Sequence, residues 1–578
     1  MCGIAGIVGR PDRNAIQRMI DAMTRREPDD SGIYADPLVA LGHRRLSILD
    51  LSPAAHQPMS RAGGRLWIVY NGEVYNFAAL RKELEATGHQ FVSRSDTAGI
   101  LASGLVNRDI DRVALVQYLM HGHVVQPRTM QNVAMLPAAH FLTYWPGHEP
   151  LIQPYWGLES DRCAALSRGL GFDEQAARLR TLLEEAARAQ MVSDVPLGAF
   201  LSGGGDSSTL VALMTRVSGR PVHTFSVGFA DAGADLDESE DVQRSARHLG
   251  AIHSAVRVDG GQVADALPRI APALGQPTID GVNMYFVSEA ARSGVTVALS
   301  GLGGDEMFAG HATFPILSER DAIAPRLRRA LGKLRRSPSR WVTGEEELER
   351  AWKTTRARHG FAMDYMSFHM VRSPQDAWAL AGRPVVAQDA VFAYLDADDP
   401  TIEDPLSRIT RFEISLYMNS QLLRDADAAS MEHSLEVRVP LLDVEVAEFA
   451  FGLPAASKLG PVEPGGATVG KRVFLRAVSD FIPDWTWRKP KRGFTLPFGE
   501  WLRGPIRPLA EDALGDSAFA GLGWVDAAAV DLESPHFLHD RSAHWSVVWT
   551  TLMLALWARE AFLPGRHSVL SASVQGVH

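Results

Sequence analysis

Short apolar runs separated by polar turns dominate the first quarter of the chain. Residues 4–8, 66–70 and 140–144 are apolar, partly β-branched, and bounded by Gly, Pro and Asn, which predicts strands. Residues 14–24 and 77–87 carry apolar positions at helical spacing. A polar helix over Phe172–Gln190 then opens a different rhythm. Strands at 197–201, 223–227, 253–258 and 295–299 alternate with helices starting near 207, 241 and 284. That βαβα order predicts a doubly wound parallel sheet. From about residue 315 the pattern is almost wholly helical, and no repeat or low-complexity segment interrupts it. The fold class is α/β, divided at 1–155 and 156–578.

Composition narrows the function classes. A chain of 578 residues exceeds one ordinary core, so two domains are expected. The net charge of -10 opposes a dedicated nucleic-acid binder. The basic run at 326–340 reads as a solvated helix face, and the tail at 571–578 as disordered. Two cysteines, Cys2 and Cys163, exclude a disulfide framework and a cysteine-rich metal site, and fit a cytoplasmic location. No apolar run reaches the roughly 18 residues of a membrane span, and the start lacks a signal-peptide pattern.

Cys2 follows the initiator Met, whose removal exposes an α-amino group with an ordinary pKa of about 8. A thiol beside its own amine combines nucleophile and base. The stretches Met1-Cys2-Gly3-Ile4-Ala5-Gly6, Leu41-Gly42-His43-Arg44-Arg45-Leu46-Ser47-Ile48, Asn71-Gly72-Glu73-Val74-Tyr75-Asn76 and Ser95-Asp96-Thr97 occur in that order. Together they resemble the glutaminase domain of class II glutamine amidotransferases, an N-terminal-nucleophile αββα sandwich. The resemblance implies Cys2 as nucleophile and an oxyanion hole from the Asn71 amide and the Gly72 N–H. It implies glutamine held by Arg45, Asn71, Glu73 and Asp96. Two departures stand out. The first loop reads Arg25-Arg26-Glu27-Pro28-Asp29 where the family has His-Arg-Gly-Pro-Asp. About 40 residues separate Asp96 from Leu136, so the strand and hairpin usual there are missing and the sandwich is shortened.

Further on, Phe200-Leu201-Ser202-Gly203-Gly204-Gly205-Asp206-Ser207-Ser208 places a Gly-rich turn between a strand and a helix, where backbone N–H groups can cradle phosphate. No Lys follows the last Gly, so it is not a Walker A loop. A second strand-end turn reads Ser300-Gly301-Leu302-Gly303-Gly304-Asp305-Glu306. Open α/β sheets bind ligands at the carboxyl ends of their strands, so both turns can serve one site. The first turn resembles the pyrophosphate loop of ATP pyrophosphatases. With residues 425–443 and the Arg488-Lys489-Pro490-Lys491-Arg492-Gly493-Phe494 loop, the chain resembles asparagine synthetases.

That resemblance implies ATP bound by Leu201, Ser202, Gly203, Gly204, Asp206, Ser207, Val227, Gly228, Ser300 and Gly301. It implies Mg²⁺ on Asp206 and Asp305, with Lys491 meeting the charge that develops on the phosphates. The expected partners are small molecules (glutamine, ATP and a carboxylate acceptor), with no nucleic acid and no membrane; a homodimer is one candidate assembly. The implied function is glutamine- and ATP-dependent amide formation on aspartate or a specialised biosynthetic carboxylate. Leu302 stands where asparagine synthetases carry an acidic residue, and Gln276-Pro277 where they carry Glu-Pro. A second reading is therefore an amide-forming or cyclising enzyme of the β-lactam synthetase or lasso-peptide cyclase kind, with a degenerate glutaminase domain. A third is a non-catalytic scaffold, against which intact Asp206, Asp305 and Lys491 argue.

Overall fold

The computed structural model describes residues 3–61, 64, 66–72, 109–130, 133–145, 147–230, 238–323, 341–342, 360–397, 399, 401–461, 468–488, 496–530, 537 and 544–563. The expected helix at 77–87, the basic run and the tail lie outside them, as do Cys2, Glu73, Asp96 and Lys491.

Near the start, β1 (Gly3–Val8), β2 (Asp30–Ala35) and β3 (Val39–Arg45) form an antiparallel sheet in the order β1-β3-β2. Helix α1 (Arg13–Ala22) begins where the Asp12 carboxylate accepts from the Asn14 and Ala15 N–H groups at 2.8 and 3.0 Å. Its Ile16, Met19 and Ile20 recur at helical spacing and pack on Ala5 and Ala40 of the sheet. Short hairpins at 59–68 and 140–154 follow.

Helix α2 (Arg112–His121) was grouped by sequence with the first 155 residues, yet it is embedded in the helical core of the later chain. The Tyr118 hydroxyl donates to the Thr550 carbonyl at 2.6 Å, and the Gln117 amide donates to the Val391 carbonyl at 3.0 Å. All of its residues after Arg112 are buried, and a helix apolar all round must be internal.

The central sheet contains β4 (Leu197–Phe200), β5 (His223–Phe229), β6 (Ile252–Val258), β7 (Val297–Leu299) and β8 (Glu436–Arg438), all parallel, in the order β6-β5-β4-β7-β8. Side chains alternate between its faces. Ala199, Leu201, Val297 and Leu299 join one apolar core with α3 (Phe172–Gln190) and α4 (Gly205–Ser218). Phe200, Phe225 and Ala298 join the other, with α6 (Gly260–Ala273) and α7 (Val282–Arg292), while α5 (Ser239–His248) links β5 to β6. The doubly wound reading holds. Helix α6 escaped it because Pro268 and Pro272 lie inside the helix.

Strand β8 also escaped it, being three residues long with charged ends. Those charges are satisfied internally. Arg438 contacts Glu436 at 2.6 Å and donates to the Gln190 and Val192 carbonyls at 2.8 and 2.7 Å. Truncating Arg438 to Ala removes the guanidinium partner of the buried Glu436 carboxylate, so denaturant unfolding is expected to show a loss of about 3–5 kcal/mol. A loss under about 1 kcal/mol contradicts this account of the sheet edge.

Candidate active site

The order of the parallel strands reverses between β4 and β7. From β4 the chain winds outward through β5 and β6, then returns to add β7 and β8 on the other side. The loops after β4 and β7 therefore meet at the switch point, the usual ligand crevice of such sheets. They meet in backbone contact. A Cβ on Gly301 would lie 2.9 Å from the Ser207 nitrogen and 3.0 Å from the Asp206 carbonyl carbon, and one on Gly304 would strike the Asp206 carboxylate. Glycine at these positions is what lets the loops close together.

The first loop turns through Gly203 at φ 72°, and Gly204 starts α4 without a capping side chain. Ser202 N donates to the Ser207 Oγ at 3.1 Å, and the two hydroxyls lie 3.0 Å apart. The helix thus begins with its first N–H groups directed at the crevice mouth, an anion-binding arrangement.

A lysine that the sequence reading missed completes the cluster. Lys471, at the N-cap of α10 (Arg472–Val478), contacts Asp206 Oδ2 at 2.5 Å and Asp305 Oδ1 at 2.7 Å. Its backbone sits at φ 58° and its N–H donates to the Phe308 carbonyl at 2.7 Å, fixing the side chain's aim. Burial pushes the Asp206 carboxyl up to about 6; the Lys471 ammonium opposes this and Asp305 adds to it. Lys471 itself is held above its ordinary range, because attraction to both carboxylates outweighs its burial. A Gly-Lys pair opening a helix (Gly470-Lys471) was the available signal.

A cavity of about 320 Å³ opens from this cluster. Of the residues expected to bind ATP, all except Gly203 and Gly204 line it. Phe200, Phe225, Phe229 and Met284 give its lining apolar surface suited to a flat base, and Asp206, Glu238, Asp305 and Glu306 add carboxylates. Leu302 also faces the cavity. The donor set fits Mg²⁺: two hard carboxylates converge, and Asp206 Oδ1 is buried without a hydrogen-bond partner.

The glutaminase residues are less fully described. Arg45 is buried and its terminal nitrogens donate to the Leu49, Asp50 and Ser52 carbonyls. Gly72 has φ 153°, and Asn71 Oδ1 is buried without a partner.

The unusual first loop docks on α9 (Leu423–Met431) and the residues after it. Arg25 and Arg26 each reach a carboxylate, Glu432 and Asp427, at 2.9 Å, and Ser434 Oγ donates to the Arg25 carbonyl at 2.5 Å. Helix α9 also carries Asp425, which accepts from Thr278 Oγ1 at 2.6 Å and pairs with Arg424 at 2.5 Å. Burial, with Asp425 nearby, pushes the Asp280 carboxyl up to about 6.

This geometry defines an α/β nucleotide-using enzyme with the site at a topological switch point. Sequence comparison gives the family. The profile described as "Asparagine synthase" matches residues 178–559, and that of "Glutamine amidotransferase domain" matches residues 1–104. The chain belongs to the asparagine synthase family and is an asparagine synthetase-like glutamine amidotransferase, a carbon–nitrogen ligase. It is 30% identical to a Mycobacterium tuberculosis (H37Rv) protein with a provisional asparagine synthetase (glutamine-hydrolyzing) name, over 96% of this chain and 95% of that one. Asparagine synthetase (glutamine-hydrolyzing) 1 of Bacillus subtilis (168) is 26% identical over 96% of both chains. Amidase chry2 of Gibberella zeae is 22% identical over 91% and 93%.

Two outcomes test this geometry. Gly301→Ala forces the loops apart, so nucleotide-dependent turnover is expected to fall on the order of 100-fold, as when a reacting geometry shifts by about 1 Å; near-wild-type turnover contradicts the close approach. Glu27, fully buried beside Arg26, has its carboxyl pushed up by burial from 4.5 to about 8, with Arg26 opposing. A raised carboxylate pKa costs the folded state stability as pH climbs between those values. Glu27→Gln should therefore gain melting temperature over wild type progressively between pH 4.5 and 8, and level off above; a difference independent of pH contradicts the assignment.

Proposed function

We propose that this chain transfers ammonia from glutamine to an ATP-activated carboxylate, with residues 1–155 as the glutaminase unit and 156–578 as the synthetase unit. The observation carrying the reading is Lys471 held between Asp206 and Asp305 at the switch point, beside a cavity lined by both apolar and acidic side chains.

In the glutaminase half, the Cys2 thiolate attacks the glutamine carboxamide carbon and its amine takes and returns the proton. The Asn71 amide and Gly72 N–H meet the tetrahedral oxygen. Arg45, Glu73 and Asp96 orient glutamine. Ammonia leaves, and water hydrolyses the glutamyl thioester.

In the synthetase half, Asp206 and Asp305 would hold Mg²⁺, which would supply neutralisation of phosphate charge. The α4 N-terminus, Ser202 and Ser207 grip the same anionic end, while Leu201, Val227, Gly228, Ser300 and Gly301 enclose the nucleoside. A carboxylate oxygen of the acceptor attacks the α-phosphorus and the bond to the β-phosphate oxygen breaks. Lys471 and Lys491 stabilise the departing pyrophosphate. Ammonia then attacks the acyl carbon, loses a proton and expels AMP.

The acceptor is aspartate or a specialised biosynthetic carboxylate. Leu302 presents an apolar surface where an acidic side chain would have taken the ammonium proton, and a leucine accepts none. Relatives carry both asparagine synthetase and amidase names. The protein acts on small molecules in the cytoplasm, with a homodimer as its assembly. Among the described residues no helix is long and apolar enough to cross a membrane.

The test is pyrophosphate release across a carboxylate panel, with glutamine or ammonia as donor. Cys2→Ala is expected to abolish glutamine-dependent product and spare ammonia-dependent product. Lys471→Met is expected to slow both on the order of 100-fold or more. Glutamine-dependent turnover surviving Cys2→Ala, or silence of the wild type on every carboxylate, overturns the reading.

A further inference from the structure

Behind the nucleotide cavity, three more metal-ligating side chains come together. Glu306 of α8 (Gly304–Met307), His311 in the turn that follows, and Glu413 each offer a ligand atom, and these atoms all lie within 4.8 Å of one another. They come from two separate stretches of backbone, 306–311 and 413. Glu413 begins a wide-pitched π-helix, Glu413–Leu422, a form that concentrates at functional sites.

The turn between α8 and His311 is tightly fixed. Gly310 N donates to the Asp305 carbonyl at 2.8 Å, the Phe308 carbonyl accepts from Lys471, and Ala309 is held at φ 60°, an uncommon value for a residue with a side chain. The result brings His311 Nε2 to 3.1 Å from Glu306 Oε1. The fully buried Tyr365 phenol stands beside Glu413; burial and then the Glu413 charge push its pKa well above the ordinary value.

Burial of both carboxylates favours a cation at the grouping. Glu306 is 4% exposed and Glu413 0%, so two carboxylates share a region of low dielectric. A protonated His311 offsets one charge at most. Lys471, the nearby ammonium, is already held by Asp206 and Asp305. The imidazole is 28% exposed, which leaves a route for an ion from solvent.

We propose that Glu306, His311 and Glu413 bind a divalent cation of borderline character (Zn²⁺, Mn²⁺ or Fe²⁺) at a site separate from the Asp206–Asp305 pair. One imidazole and two carboxylates match that class of ion, whereas Mg²⁺ favours oxygen and water. Ligands at about 2.0–2.2 Å from one zinc ion lie roughly 3.4 Å apart. Binding would draw the present ligand atoms, within 4.8 Å of one another, closer together. Three protein ligands leave a coordination position open. Because Glu306 also lines the nucleotide cavity, the ion borders the space where the carboxylate is activated. The site stands whether or not glutamine is the nitrogen donor.

The full chain, stripped of metal with chelator and kept free of nucleotide, is titrated with Co²⁺ and followed by visible absorption, then with Zn²⁺ by calorimetry. The wild type is expected to bind one such ion with a spectrum indicating nitrogen ligation. His311→Ala and Glu413→Gln should each weaken it at least tenfold, and Asp206→Asn should change it less than twofold. Circular dichroism confirms folding of each variant; should Glu413→Gln unfold, His311→Ala, partly exposed, decides alone. No binding by the wild type, wild-type binding by His311→Ala, or loss of binding in Asp206→Asn overturns the proposal.

Discussion

Two carboxylates and one ammonium at the carboxyl edge of a parallel sheet hold the functional end of this molecule together. Two like charges roughly 5 Å apart repel by roughly 3 kcal/mol at an effective dielectric of about 20. Asp206 and Asp305 tolerate one another because Lys471 sits between them. The same arrangement leaves a site of high field that a polyphosphate and its counter-ion can enter. Bringing the loops that close required glycine at 301 and 304, since any side chain there would strike the Asp206–Ser207 segment.

Much of this was legible in the sequence, for identifiable reasons. The parallel sheet announced itself through apolar strands alternating with helices, and Asp206 and Asp305 through Gly-rich turns at strand ends. What escaped had weak local signal. Lys471 is supplied by a helix start far along the chain, and its partners are distant in sequence. Strand β8 is three residues long and charged, so its stability comes from the Arg438 network rather than from an apolar run. Helix α2 has no amphipathic face, and its destination could be read only from what surrounds it. Helix α6 continues through two prolines that local rules read as a break.

The two halves are physically joined at the departures from the family pattern. Arg25 and Arg26, in the first loop, pair with Glu432 just past the end of α9 and with Asp427 within it. That helix also presents Asp425 to Thr278, next to Asp280. The first loop is therefore linked through one helix to the buried Thr278–Asp425 pair. Helix α2 adds a second connection, because it follows the residues matched by the glutamine amidotransferase profile and is anchored among the helices of the later chain.

The most direct test of the central claim is equilibrium binding of Mg²⁺-ATP to the full chain and to Asp206→Asn and Asp305→Asn. Saturable binding by the wild type, weakened at least tenfold by either substitution with the fold intact, is the predicted result. Binding that neither substitution alters would contradict the claim that the paired strand-end loops form the nucleotide site.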